Sequence, residues 1–214
     1  MKALGMIEVY SFTTAVVAAD LCAKAADVKV IAFDRNRPKS ADAPAPLVMQ
    51  IKIAGNVAAV KAAVEAGTEY AKAEGKHIVS HVIPNPGDGV EKMAYRLDIN
   101  KDKYNKKLPK DFMNEEEING DSVGAETIGL LEIDGLVAAI EGLDSMTKAA
   151  NVRVIHSEKR LGGRLVTFIV AGEVSAVKAA VEAGYQNAQP LGKVYGKAVV
   201  ARPHREVTKF FDMD

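Results

Sequence analysis

Tryptophan is absent from this sequence, cysteine occurs once, and the two signs of charge cancel, with 28 Lys and Arg against 28 Asp and Glu. Each shortage excludes something. A lone Cys22 rules out an internal disulfide and suits a reducing compartment. Zero net charge leaves no global attraction to nucleic acid or to an anionic membrane. No apolar run approaches the roughly 18 residues that cross a bilayer as a helix. The opening MKALGMIEVYSF lacks the longer apolar segment and cleavage site of a signal peptide. The expectation is a cytoplasmic chain with neither membrane nor nucleic acid as partner.

Catalytic patterns are missing as well. The His-Glu-x-x-His helix, the Gly-x-Ser-x-Gly elbow and the Gly-Lys-Ser/Thr ending of a phosphate loop are all absent. His77 and His81 are four apart but lack a third placed ligand, and His156 and His204 stand elsewhere in the chain. Cys22 falls on an apolar helix face, where a free thiol behaves as a small hydrophobe. Glu8 and Glu132 read as strand glutamates rather than an acid–base pair. No metal, cofactor or enzymatic activity is expected.

What the sequence does contain is a repeat. Val57 to Gly67 reads VAAVKAAVEAG and Val174 to Gly184 reads VSAVKAAVEAG, each after an Ala-Gly dipeptide. The valines recur at helical spacing and predict one buried face (Val57, Val60, Val64; Val174, Val177, Val181), while the alanines let another backbone approach. A match of this length points to two copies of one domain, and 214 residues accommodate two domains of about 100 each. The strand LGMIEV matches IGLLEI at an offset of 124, whereas Val57 matches Val174 at 117, so the intervening loop is seven residues longer in the first copy.

Each copy reads as strand–helix–strand–strand–helix–strand. In the first, the strands are Ala3 to Val9, Val28 to Phe33, LVMQIKIAG and Ile78 to Ile83, with Ser11 capping the first helix and a short helix near Val90 to Tyr95. The inward face of the first helix is Phe12, Ala15, Val16, Ala19, Cys22 and Ala26; its counterpart is Leu136, Ala139, Ile140, Leu143, Met146 and Ala150. The last strand of the second copy, KAVVARP, precedes a tail helix, REVTKFF. The fold class is α+β, with a four-stranded, mainly antiparallel sheet and flanking helices in each copy. The first domain spans 1–96, a charged linker 97–123, and the second domain 124–214.

These residues resemble the bacterial microcompartment shell proteins. The resemblance rests on Leu4-Gly5-Met6-Ile7-Glu8, on Gly135 to Glu141 (GLVAAIE), on Lys148-Ala149-Ala150-Asn151-Val152, on the two Ala-Gly-x-Val-x-Ala-Val-Lys segments, and on Ala201-Arg202-Pro203-His204. Single-domain members of that family form hexamers that tile an organelle shell. A tandem chain resembles the trimeric, non-permuted kind, in which three chains make a pseudo-hexameric ring around a central pore.

The resemblance implies site residues. Its pore loop, between the second and third strands, falls on Asp34 to Pro46, including Arg35, Arg37, Pro38, Lys39, Ser40, Ala41 and Asp42. In the second copy it falls on Lys159, Arg160, Leu161, Gly162, Gly163 and Arg164. The cations imply small anionic metabolites at the pore, and the glycines permit a tight turn. Tile-edge residues implied in the same way are Lys24, Lys148 and Arg202, with Asn85 standing where a second arginine is expected. Both lysines also suit the macrodipole at a helix C-terminus. Partners implied are two further copies of the chain and other shell proteins. Two other classes stay open. One is an electron-transfer shell protein with a pore-bound cofactor, against which neither loop carries a cysteine. The other is a tandem regulatory domain that binds a small molecule between its halves.

Overall fold

The structure, a computed structural model, describes residues 3–40, 42–87, 89, 90, 94, 126–158 and 164–211. Each half has the expected order of elements. The first runs β1 (Ala3–Tyr10), α1 (Phe12–Ala25), β2 (Val28–Asn36), β3 (Val48–Gly55), α2 (Val57–Ala73) and β4 (His77–Ile83). The second runs β5 (Thr127–Asp134), α3 (Leu136–Ala149), β6 (Arg153–Glu158), β7 (Leu165–Gly172), α4 (Val174–Ala188), β8 (Val194–Val200) and a one-turn α5 (Arg205–Thr208). The sheets have orders β2-β3-β1-β4 and β6-β7-β5-β8, and every pairing is antiparallel.

Both faces of a strand alternate, and this alternation decides what each sheet packs against. The odd positions of β1 and β5 face the helices of their own half. There the small residues expected of the repeat bring helices together. A Cβ on Gly67 of α2 would lie 2.5 Å from Cys22 Sγ and 3.1 Å from the Ala18 carbonyl, so α1 and α2 touch backbone to backbone. Gly184 of α4 meets Met146 and the Gly142 carbonyl in the same way.

The largest apolar cluster crosses from one half to the other. Phe12, Val16 and Phe33 of the first half share it with Ile128, Leu130, Ile155, Ile169, Val207 and Phe211 of the second. Four of the six phenylalanines meet here. Phe12 packs edge-on against Phe33 and Phe211, at centroid distances of 6.2 and 6.4 Å, and Phe33 packs edge-on against Phe210 at 5.0 Å. Each such pair contributes about 1 kcal/mol beyond its buried area.

Three expectations are corrected here. β2 continues to Asn36 because Asp34, Arg35 and Asn36 pair with Gln50, Met49 and Val48, so Arg35 is a strand residue and the loop begins at Arg37. The inward face assigned to α3 is only partly buried: Ala139 and Met146 are enclosed, but Leu136 and Ile140 are exposed, since no described element covers that side. On the repeated helices Val57 is half-buried and Val174 exposed, because both stand in the first turn, ahead of the packed region. Val90 and Ala94 are helical; Tyr95, the 97–123 linker and the domain boundaries at 96 and 124 lie outside the described residues.

Cys22 is fully buried, and desolvation pushes its thiol up to about 12. At pH 8 it therefore stays protonated, and only the thiolate is nucleophilic. We expect no reaction of the native protein with a thiol-specific chromogenic reagent at pH 8, and one equivalent of reaction after unfolding in guanidinium. Rapid labelling of the native chain would refute the buried placement.

Candidate functional site

The chemistry of this molecule is concentrated where its halves meet. Glu132 stands in β5 on the face turned away from its own helices and is fully buried. It accepts three hydrogen bonds from the start of α1: Ser11 Oγ at 2.5 Å, the Phe12 amide at 3.2 Å and the Thr13 amide at 2.9 Å. The first amides of a helix have no partner within it, and the positive end of the helix dipole favours a carboxylate. One half thus caps the helix of the other. Ser11 also accepts from the Thr14 amide at 3.4 Å, as a capping serine does.

This arrangement holds Ser11 at φ 78° and ψ 135°, a region that costs a non-glycine residue about 1–3 kcal/mol. Gly135, its counterpart before α3, takes φ 94° and ψ 133° without that cost. Thr13 is also pressed against β8, where a Cβ on Gly196 would lie 2.7 Å from the Thr13 Cβ.

Two further buried carboxylates hold the joint. Asp20, midway along α1, accepts from the His204 amide at 2.7 Å. Glu206 of α5 accepts from the Val30 amide of β2 at 2.7 Å and pairs with Lys209 at 2.6 Å. Lysines reach across as well, Lys24 Nζ to the Ala201 carbonyl at 3.1 Å and Lys76 Nζ to the Tyr195 carbonyl at 2.9 Å. Bonds with a charged partner are roughly twice as strong as neutral ones.

The residues expected at the tile edge separate into two groups. Lys24 bonds the residue before Arg202, so those two share one corner of the joint, and Lys24 is also ion-paired with Asp20 at 2.5 Å. Arg202 is exposed and takes φ 47°, a left-handed turn. Lys148 pairs with Asp144 at 2.6 Å on an exposed surface, and this partner raises its pKa. Asn85 is exposed.

The loop residues group at their bases. The Ser11 amide bonds the Leu47 carbonyl at the end of the first loop, and the Gly135 amide bonds the Arg164 carbonyl at the end of the second. Glu132 lies between them, bonded to Ser11 and two residues from Asp134, whose carboxylate is 3.7 Å from Arg164 Nε. Arg35, Arg37, Lys39, Ser40 and Asp42 are exposed, Pro38 is half-exposed, and Ser40 Oγ accepts from the Asp42 amide at 3.2 Å. Asp34 stands 3.8 Å from buried Lys52. Ala41, Lys159, Arg160, Leu161, Gly162 and Gly163 lie outside the described residues. Among the described residues no group of three or more His, Cys, Asp or Glu is placed to hold a metal ion, and no helix is long and apolar enough to cross a membrane.

Sequence reasoning missed the clamps. Glu132 carried a visible signal, a glutamate in an otherwise apolar strand four residues before a helix start. Asp20 carried another, as an acid among apolar neighbours in α1.

Comparison with known proteins bears on this arrangement. The BMC domain pattern matches this chain twice, over residues 3–86 and 127–203. The carboxysome assembly protein CcmO of Synechococcus elongatus is 33% identical over 201 residues, 94% of this chain; the chain spans 65% of that relative's length. The bacterial microcompartment shell protein PduA of Salmonella typhimurium is 49% identical over 84 residues, 39% of this chain and 88% of its own. The corresponding EutM of Escherichia coli is 43% identical over 86 residues, 40% of this chain and 88% of its own.

Removing the Glu132 carboxylate tests the joint. Glu132→Ala leaves two helix amides and a hydroxyl buried without an acceptor, and should lower stability by roughly 3 kcal/mol. Glu132→Gln keeps an acceptor oxygen and should lose about half as much. Urea denaturation followed by circular dichroism measures both, and equal, small losses would show that the clamp does not hold the halves.

Proposed function

Because this chain belongs to the BMC domain family, we propose that it is a structural, non-enzymatic component of a bacterial microcompartment shell, built as a homotrimer whose six domains form a ring. The observation that carries the reading is the direction of the internal joint. Helix α1 of the first half caps onto Glu132 of the second, but among the described residues no hydrogen bond returns from α3 of the second half to Glu8 of the first, which instead accepts from Gln50. A one-way contact leaves one complementary surface open at each end, and such contacts either close into rings or run on as filaments. Three chains, each supplying two similar units, close the ring. Shell proteins named among the relatives set the context in which such a ring tiles.

In that ring the hairpin loops gathered at the joint point toward the axis. Arg35 at the end of β2 and Arg37 and Lys39 from the first loop alternate with Lys159 and Arg160 from the second, and their field concentrates small anionic metabolites at the pore. The longer, proline-rich first loop makes the passage threefold rather than sixfold. At the rim, Lys24 with Arg202, and Lys148 with Asn85 of the neighbouring copy, contact adjoining tiles.

Three measurements follow. Light scattering at micromolar concentration should give the mass of three chains, with ring-shaped particles in negative stain; a single-chain mass overturns the trimer. Lys148→Ala should weaken sheet formation while leaving the melting temperature unchanged, whereas Lys24→Ala should also destabilise the chain by about 1 kcal/mol, because it removes a bond across the joint. Binding of small carboxylates or phosphates should be weak, should fall as salt rises, and should be lost in Arg37→Gln with Arg160→Gln. Unaltered binding in that variant removes the cationic pore from the reading.

A further inference from the structure

The two sheets offer the start of helix α1 two places to dock, and it takes one. Each sheet carries a glutamate on an inner strand, Glu8 in β1 and Glu132 in β5. Each glutamate faces one residue of the last strand, Glu8 facing Val79 and Glu132 facing Gly196, and both ladders shift register at the next residue. The surroundings of the two carboxylates can therefore be compared residue by residue.

Beside Glu132 there is no room to spare. Gly196 is buried, and a Cβ built on it would stand 2.7 Å from Thr13 Cβ, 2.9 Å from Thr13 Oγ1 and 3.1 Å from Ser11 Oγ. Gly196 lies within β8 and is not among the residues with positive φ, so its backbone does not call for glycine. The space does. Thr13 Cβ is one bond from the main chain, and that main chain is held in place, since the Phe12 and Thr13 amides and the Ser11 hydroxyl all end on Glu132. A side chain at 196 would push the start of α1 off the carboxylate.

On the first sheet the same place holds Val79, 50% exposed. Valine branches at Cβ and has few rotamers to choose from, so it cannot fold its methyls away from the seat. Two attractive contacts are missing there as well. At the offset of 117 that relates the two copies in this region, Gly89 stands in the place of Glu206, which accepts from the Val30 amide. Ala94 stands in the place of Phe211, which meets the Phe12 ring edge-on. The acceptor itself is present, since Glu8 is half-buried and bonded only to Gln50 Nε2 among the described residues. What it lacks is the space beside it.

We propose that Gly196 and Val79 decide where α1 docks: the bare strand at 196 admits the helix start to the second half, and the valine at 79 bars it from the first half of any copy. Every copy carries both α1 and a sheet with Glu8. Without the bar, first halves would seat on one another, and such head-to-tail contacts run on unless their rotation closes. Specificity is a difference between two affinities, and a clash at the wrong site widens it as a bond at the right one does. The assignment concerns the joint within the chain and holds for any number of chains in the assembly.

Substitutions at the two strand positions test both parts. Gly196→Ala should lower the urea midpoint by about 1 M, and should cost little further in a Thr13→Gly background, where the opposing Cβ is gone. An equal loss in both backgrounds overturns the role given to Gly196. Mass reads the choice of partner. By analytical ultracentrifugation Gly196→Ala alone should keep the mass of the wild type, because Val79 leaves α1 no other seat. Val79→Gly combined with Gly196→Ala should give larger species that grow with concentration, as α1 of one copy seats beside Glu8 of another. A double variant of wild-type mass, or the same larger species from Gly196→Ala alone, means that Val79 does not bar the helix and overturns the proposal.

Discussion

Glu132 is fully buried, so its carboxylate must find every partner inside the protein. It finds them in the one place where a chain always has donors to spare, the start of a helix. Because those donors belong to the other half, the requirement of one side chain fixes the relative placement of two sheets. Phe12 follows Ser11 directly, so the clamp also delivers the aromatic ring around which Phe33, Phe210 and Phe211 gather. The shared core is then a consequence of the clamp as much as its support: burial excludes water from the carboxylate, and the carboxylate orders the helix that is buried.

The same constraint explains why two helices of like sequence behave differently. Helix α1 is enclosed around most of its circumference, from Phe12 to Ala23, whereas α3 buries only Ala138, Ala139, Gly142 and Met146. Intrinsic preference for helix does not distinguish them. What differs is position: α1 has the second half against its outer side, and α3 has no described element there. An apolar side chain left in water costs what its burial would contribute, about 25 cal/mol for each Å², and α3 carries several such side chains in adjoining turns.

This is where the sequence was legible and where it was not. The repeat, the strand order and the small-residue contacts of α2 and α4 follow from periodicities of two and 3.6, which are local properties and are visible in residues such as Val60, Val64 and Gly67. The family resemblance was legible too, since its motifs occur twice in order. The burial of Leu136 and Ile140 could not be read, because their spacing reports that a face is apolar, not whether the same chain covers it. Asp34, Arg35 and Asn36 looked like loop because their side chains are polar, yet β3 offers them backbone partners, and an edge strand can end in solvent. Glu132 was visible as a glutamate among apolar residues, but its partners are about 120 residues away in sequence. A single sequence does not encode that proximity in any local pattern.

Fusing the two units into one chain gives a reason for the differences between them. Within a chain the partner is always near, at an effective concentration set by the connection. A tethered joint can therefore rest on directional bonds that need accurate placement, and can hold Ser11 in an unfavourable backbone conformation, because the geometry is imposed each time the chain folds. A joint between separate chains has to form from free copies and meets the full cost of lost translation and rotation. Apolar contact suits that task, since it tolerates small errors of approach and acts before every hydrogen bond is aligned. Ser11 against Gly135, Gly196 against Val79, and Glu206 against Gly89 all differ between the halves, and the first residue of each pair is buried in the joint within the chain. The two halves have thus kept one fold while diverging at positions that one half buries in the joint within the chain and the other leaves exposed.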